Sequence, residues 1–147
     1  MARIDYYTQL DIKQEYFSDF LSSFDKSPLS NDLARMGSEN SVKQSIRNLV
    51  LTNIGERLFQ PDIGGNVLSM LFEPFTGFIA EDLKKDILNT IKQNESRVSA
   101  SDLTVQVIPS ADLRSSSDDN KLTVNIFFFI MNNPNQVSVS LVLQRVR

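Results

Sequence analysis

Glu56, Asp62 and Glu73 each stand beside a turn, and two carboxylates about 5–10 Å apart suffice for acid–base cleavage of a glycosidic bond. They are three of eighteen acidic residues, so acids near turns arise by chance, and no spacing singles out a pair. Histidine and cysteine are both absent, which removes the usual general base, the thiolate nucleophile and the commonest transition-metal ligands together. Asp118-Asp119 lacks the regular run of oxygen ligands that holds calcium, and reads as solvated loop. Gly64-Gly65 is followed by Asn66-Val67 rather than by the lysine of a phosphate loop. The expectation is no catalytic residue, no metal site and no cofactor.

The elements around these residues describe a compact body. A chain of 147 residues with 41% hydrophobic and 22% charged residues is one ordinary globular domain. A net charge of −3 and scattered basic residues, only Lys84-Lys85 being adjacent, argue against nucleic acid. No apolar run approaches the roughly 20 residues that cross a bilayer, and Met1–Gln14 is too polar for a signal peptide. Neither a nucleic acid nor a membrane partner is expected.

Residues 1–37 read as an N-terminal arm and loop, and 38–147 as a single domain. In EYFSDFLSSF, the residues Phe17, Phe20, Leu21 and Phe24 fall at helical spacing, either as a local helix on its own core or as an arm docking on a neighbour. KSPLSNDLARMGS, broken by Pro28, reads as loop. Ser41-Val42-Lys43-Gln44 fits a capping box at a helix start, with Val42, Ile46, Leu49 and Val50 on one face and Gly55 placed to end it. A short helix follows the turns at Pro61 and Gly64-Gly65, burying Val67, Leu68, Leu71 and Phe72. The longest helix runs from about Gly77 to Asn94, capped by Thr76, with Ile79, Leu83, Ile87, Leu88 and Ile91 at its period.

From Asp102 the period becomes two. Leu103, Val105 and Val107 form a first strand closed by Pro109. Leu122, Val124, Ile126, Phe128 and Ile130 share one face of a second. Val137, Val139, Leu141 and Leu143 share one face of a third, with Ser138 and Ser140 opposite and NNPNQ as the hairpin link. This is an α+β fold: an N-terminal arm and three main helices packed on a small C-terminal sheet ending in a β-hairpin. Its last strand offers a row of backbone groups at a sheet edge.

LTNIGERLFQPDIGGNVLSMLFE carries a pattern of its own. Thr52, Gly55, Arg57, Pro61 and Gly64 stand in the spacing Thr-x-x-Gly-x-Arg-x-x-x-Pro-x-x-Gly. It resembles the signature of the phage baseplate wedge, or sheath initiator, family, often labelled lysozyme-like and shared with type VI secretion baseplates. The resemblance continues through the long helix, the strand ending in VIP and the final hairpin, from about 40 to 147. That family also carries Glu-Pro-Arg between the long helix and the first strand. Here Glu95-Ser96-Arg97 stands there, with serine in place of the rigid proline.

The resemblance implies a structural wedge subunit of a contractile phage tail, made in the host cytoplasm and built into the virion's tail baseplate. The equivalent subunit of a type VI or related injection system is the alternative, and a cell-wall glycan hydrolase a third reading. It implies contact with the helical core bundle of other wedge proteins through Glu95, Ser96 and Arg97. It also implies that tail sheath subunits add strands to the edge formed by Val137, Ser138, Val139, Ser140, Leu141, Val142 and Leu143. Read from residues alone, Glu95 and Arg97 also fit a helix-end cap or a solvated pair. The signature residues read as structural, with Arg57 buried and tying the helix end to the next turn by its five N–H donors, or else touching a partner.

Overall fold

A computed structural model describes residues 17–73, 76–109, 121–131 and 133–144. The expectations for Met1–Gln14 and for the loop 111–120, Asp118-Asp119 included, lie outside the described residues. In chain order the elements are β1 (Ser18–Phe20), β2 (Arg35–Gly37), α1 (Ser38–Leu51), α2 (Val67–Met70), α3 (Gly77–Asn94), β3 (Thr104–Pro109), β4 (Lys121–Phe129) and β5 (Gln136–Gln144).

The central helix is α3, whose first turn is closed by the Thr76 hydroxyl accepting the Ile79 N–H. Leu83, Ile87 and Ile91 recur every four residues and are fully buried, each removal from water stabilising by about 1.5–3 kcal/mol. They meet one face of a three-stranded antiparallel sheet in the order β3-β4-β5. That face carries Val105, Val124, Ile126 and Phe128, all fully or almost fully buried. Along β5 burial alternates strictly: Val137, Val139, Leu141 and Leu143 inward, Ser138, Ser140 and Val142 outward. A one-residue slip would reverse every side chain, so burial fixes the register.

The helix α1 adds Val42, Ile46, Leu49 and Val50 to the same core. It starts at Ser38, earlier than the capping-box reading of Ser41 to Gln44. Gly37 is the N-cap and contributes no side chain, while Ser41 is fully buried inside the first turn. Gly55 does not end this helix; the helix stops at Leu51, and Gly55, at φ +86°, serves the turn beyond. The single turn α2 buries Val67, and Leu71 follows it into the core, but Phe72 points to solvent, against the expectation of a buried side. One turn is too short to carry all four apolar positions on one face.

The largest correction concerns residues 17–37. The Phe17–Phe24 stretch is not helical, and part of the presumed loop is a strand: β1 and β2 pair antiparallel as a small separate sheet, Ser18 opposite Gly37. Extension lets β1 bond β2 on one side and the Gln44 side chain of α1 on the other. Gln44 Nε2 donates to the Phe20 carbonyl at 3.0 Å, and its Oε1 accepts the Ser22 N–H at 3.4 Å. A side-chain amide thus stands where a neighbouring strand would.

Candidate functional site

Glu95 caps the C-terminal end of α3, and its carboxylate turns inward, where it is almost fully buried. Arg97 approaches it edge-on, Nε 2.6 Å from Oε1 and Nη2 2.7 Å from Oε2, and the Ser45 hydroxyl donates to Oε2. Arg97 Nη1 donates in turn to Ser41 Oγ at 3.1 Å. Its guanidinium lies 5.7 Å from the centre of the Phe17 ring, and its carbonyl accepts the Met131 N–H at 2.9 Å. Burial pushes the Glu95 carboxyl up, but hydrogen bonds from Arg97 and Ser45 and the Arg97 charge together hold it below its ordinary value. Its bond to Glu95 raises Arg97, against burial, with the Asp19 charge adding to the effect.

This pair therefore clamps α1, the α3–β3 junction, β4 and the N-terminal segment at one point. Three of the five guanidinium N–H groups are engaged in these bonds, leaving two among the described residues. Ser96, between the two charges, is exposed. The sequence reading missed Ser41 and Ser45 as the partners of this pair on α1, and Gln44 as the partner of the N-terminal segment. The available signal was weak: two serines four residues apart on the same helical stretch as the buried Val42 and Ile46.

The signature residues build a closed loop. Asn53 bridges Gly65 at its base, where the Gly65 N–H donates to the Thr52 carbonyl at 3.0 Å. The Thr52 hydroxyl caps the Asn48 carbonyl at 2.7 Å. Across the loop, the Gly55 N–H donates to the Pro61 carbonyl at 2.8 Å, and Glu56 accepts the Asn53 N–H at 2.9 Å. Gly64, at φ +137°, lies so close to the chain that a Cβ would sit 2.6 Å from the Thr52 carbonyl. The Asn66 N–H bonds Asp86 and the Thr90 hydroxyl bonds the Gly64 carbonyl, tying the loop to α3. Arg57 corrects the expectation of a buried tie. It is exposed, and its side chain makes no hydrogen bond or ion pair among the described residues, because the backbone closes the loop without it.

Phe129 accepts from the Ser99 N–H, and Met131 donates to the Arg97 carbonyl. Odd-numbered residues of β4 thus aim their backbone groups toward the β3 side, and even-numbered ones toward β5. With Val124 opposite Leu141 and Ile126 opposite Val139, the odd-numbered residues of β5 bond β4. The N–H and C=O groups of Ser138, Ser140 and Val142 therefore face away from the sheet. Among the described residues no strand pairs with that side. The Ser140 hydroxyl donates to Asn125 across the solvent-facing surface at 2.7 Å.

Of the arm residues, Phe17 packs against the core and under Arg97, and Leu21 is half-buried. Phe20 and Phe24 remain exposed, and Phe24 stands at φ +54°.

The three candidate acids do not converge on a shared partner. Glu56 is bonded within its own loop, while Asp62 and Glu73 are exposed without a bond between them. Among the described residues, the molecule turns outward an unpaired strand edge and a loop closed by its own backbone bonds. The chain belongs to the family of baseplate wedge protein gp25, whose family model matches residues 37–135. It is 30% identical over 108 residues to baseplate wedge protein gp25 of Enterobacteria phage T4, covering 74% of this chain and 76% of that one.

The fold recurs in solved structures at low identity. A protein of Geobacter sulfurreducens named as a tail lysozyme superposes with a TM-score of 0.63 at 17% identity, over 74% of this chain and 92% of its own. A chain of the anti-feeding prophage baseplate gives 0.57 at 18%, over 87% and 85%. A chain of a type VI secretion baseplate complex gives 0.54 at 12%, over 72% and 93%.

Proposed function

We propose that this chain is a structural subunit of a contractile phage tail baseplate that joins the wedge to the sheath and templates sheath assembly on the outer edge of β5. The observation that carries this reading is the outward row of backbone groups at Ser138, Ser140 and Val142. A strand added there satisfies those groups through main-chain bonds, whatever side chains it carries. The phage T4 relative favours a tail over a type VI or related secretion baseplate, where the same edge would serve the same purpose. The subunit is made in the host cytoplasm and resides in the virion, against other wedge proteins.

Proline on the edge tests this. Ser140→Pro and Val142→Pro each remove one outward N–H and leave the bonds to β4 intact. Ser140→Ala controls for the lost bond to Asn125. Both proline variants are expected to fold and to enter baseplates, yet to nucleate sheath poorly, while the alanine variant behaves as wild type. Normal sheath growth from either proline baseplate rules out templating by this edge.

The same reading makes the protein non-enzymatic, supported by the dispersed acids Glu56, Asp62 and Glu73. Purified protein is expected to leave peptidoglycan intact from acidic to neutral pH. Cleavage that disappears with Glu56→Gln, Asp62→Asn or Glu73→Gln overturns this part.

A further inference from the structure

The loop between Asn53 and Gly65 is closed at its base, braced by the Gly55–Pro61 and Asn53–Glu56 bonds, and fixed to α3 through Asp86 and Thr90. At its far end Leu58 is 89% exposed and Phe59 93% exposed. Single exposed apolar residues are ordinary on protein surfaces. Here two large ones are consecutive, and Arg57, beside them, has no partner among the described residues. Arginine and aromatic anchors dominate the binding energy of protein interfaces. A stiff loop loses little conformational freedom when it docks.

We infer that this loop is a docking tip, with Leu58 and Phe59 entering an apolar cleft on a neighbouring baseplate subunit and Arg57 pairing with a carboxylate on the rim of that cleft. The inference rests on the baseplate reading and adds a contact separate from the β5 edge. It divides the signature into two roles. Thr52, Gly55, Pro61 and Gly64 hold the loop in shape, and Arg57 belongs to what the loop presents. The free cation selects an acidic rim. Glu56 and Asp62, exposed on the same loop, leave it net acidic and so disfavour a continuous anionic lipid surface, whereas a single carboxylate can be placed opposite Arg57, so the occupant is a protein cleft rather than a membrane.

The test uses the full chain and the wedge subunits encoded by neighbouring genes, titrated by sedimentation. Leu58→Ser combined with Phe59→Ser, and separately Arg57→Glu, are each expected to weaken association by about 10-fold or more. Arg57→Lys, which keeps the charge, retains most of it. All three should melt at the wild-type temperature, since none of these side chains is buried. Benzoylphenylalanine in place of Phe59 is expected to crosslink, in assembled baseplates, to an apolar segment that includes Asp or Glu.

Association of both disruptive variants at wild-type strength, while wild type itself associates, overturns the docking tip alone. A wild-type chain that fails to join those subunits overturns the baseplate reading and this inference with it. A crosslink confined to a polar or basic segment also overturns the inference. So does co-sedimentation with phosphatidylglycerol vesicles that is lost with the Leu58→Ser and Phe59→Ser pair.

Discussion

Arg97 holds Glu95 by both carboxylate oxygens, at 2.6 and 2.7 Å, across the turn that ends α3. The carboxylate is almost fully buried, while the arginine side chain keeps 23% of its surface exposed. Removing one partner of a fully buried pair costs about 3–5 kcal/mol, because the other charge is left without compensation. Arg97 keeps part of its hydration, which lowers that figure. Glu95→Gln is expected to destabilise the fold by about 2–3 kcal/mol, read by denaturant unfolding. A change below about 0.5 kcal/mol would mean the pair is not a clamp.

The same pair predicts a pH dependence. The Glu95 carboxyl is held below its ordinary value of 4.5 in the folded chain. Between those two values the unfolded chain binds the proton and the folded chain does not. Its contribution is therefore complete above about pH 4.5 and is lost as pH falls through the folded value. Unfolding measured from pH 7 down to pH 3 should show the stability gap between wild type and Glu95→Gln narrowing in the acid limb. A gap that stays constant throughout contradicts the lowered pKa.

Two glycines of the signature loop differ in what they tolerate. At Gly64 a Cβ meets backbone at 2.6 Å under a positive φ, so Gly64→Ala must move the chain itself. Gly55 also has positive φ, but open space lies where its Cβ would go. Gly55→Ala should cost only about 1–2 kcal/mol, the left-handed penalty. Gly64→Ala should cost more, about 3 kcal/mol or above, as strain and overpacking add. Thermal melts of the two variants compare them directly, and equal losses would refute the close approach at Gly64.

The sequence made the longest periodic elements legible. Thr76 and the spacing of Leu83, Ile87 and Ile91 define α3 from end to end, and alternation along 137–143 gives both β5 and its buried face. The N-terminal sheet was hidden, because its strands are three residues each and three residues carry no readable alternation. A helical spacing of Phe17, Phe20, Leu21 and Phe24 then filled the gap wrongly. Ser41 and Gln44 looked like a capping box, yet one serves Arg97 and the other β1, partners 56 and 24 positions away in sequence. Local pattern cannot register contacts of that range. The outward direction of the Ser140 N–H depends on the pairing of β4 with both neighbours, which no single strand reveals.

Gln44 should govern how firmly the N-terminal sheet is seated. It offers β1 one donor and one acceptor, and Gln44→Ala removes both at a partly exposed site, for about 1 kcal/mol. Gln44→Glu keeps the acceptor for Ser22 but sets a carboxylate against the Phe20 carbonyl, so it should loosen the sheet at least as much. The reporter is the Leu21 amide, which donates to the Ala34 carbonyl at 3.2 Å. Its hydrogen exchange is expected to quicken about 5-fold, while core amides such as Val105 and Val124 stay unchanged. Equal acceleration in the core would assign Gln44 a global role instead.

The wedge contact that the family resemblance implies for Glu95, Ser96 and Arg97 would fall to these residues unequally. Glu95 faces inward and can act only by holding Arg97, whereas Ser96 is exposed and, among the described residues, two Arg97 N–H groups are left for a neighbour. Charge-assisted bonds from those groups would give the contact direction as well as strength. Ser96→Glu places a carboxylate beside Arg97 without disturbing the buried bonds, and should leave the melting temperature unchanged. It should also weaken association with the wedge subunits by about 5–10-fold, because the new acid competes for the free N–H groups. Glu95→Gln should weaken both stability and association, and Ser96→Ala neither. Titration of the three variants against the same wedge subunits separates the roles. If Ser96→Glu binds as tightly as wild type, Glu95 and Arg97 serve the fold alone and the wedge must be gripped elsewhere.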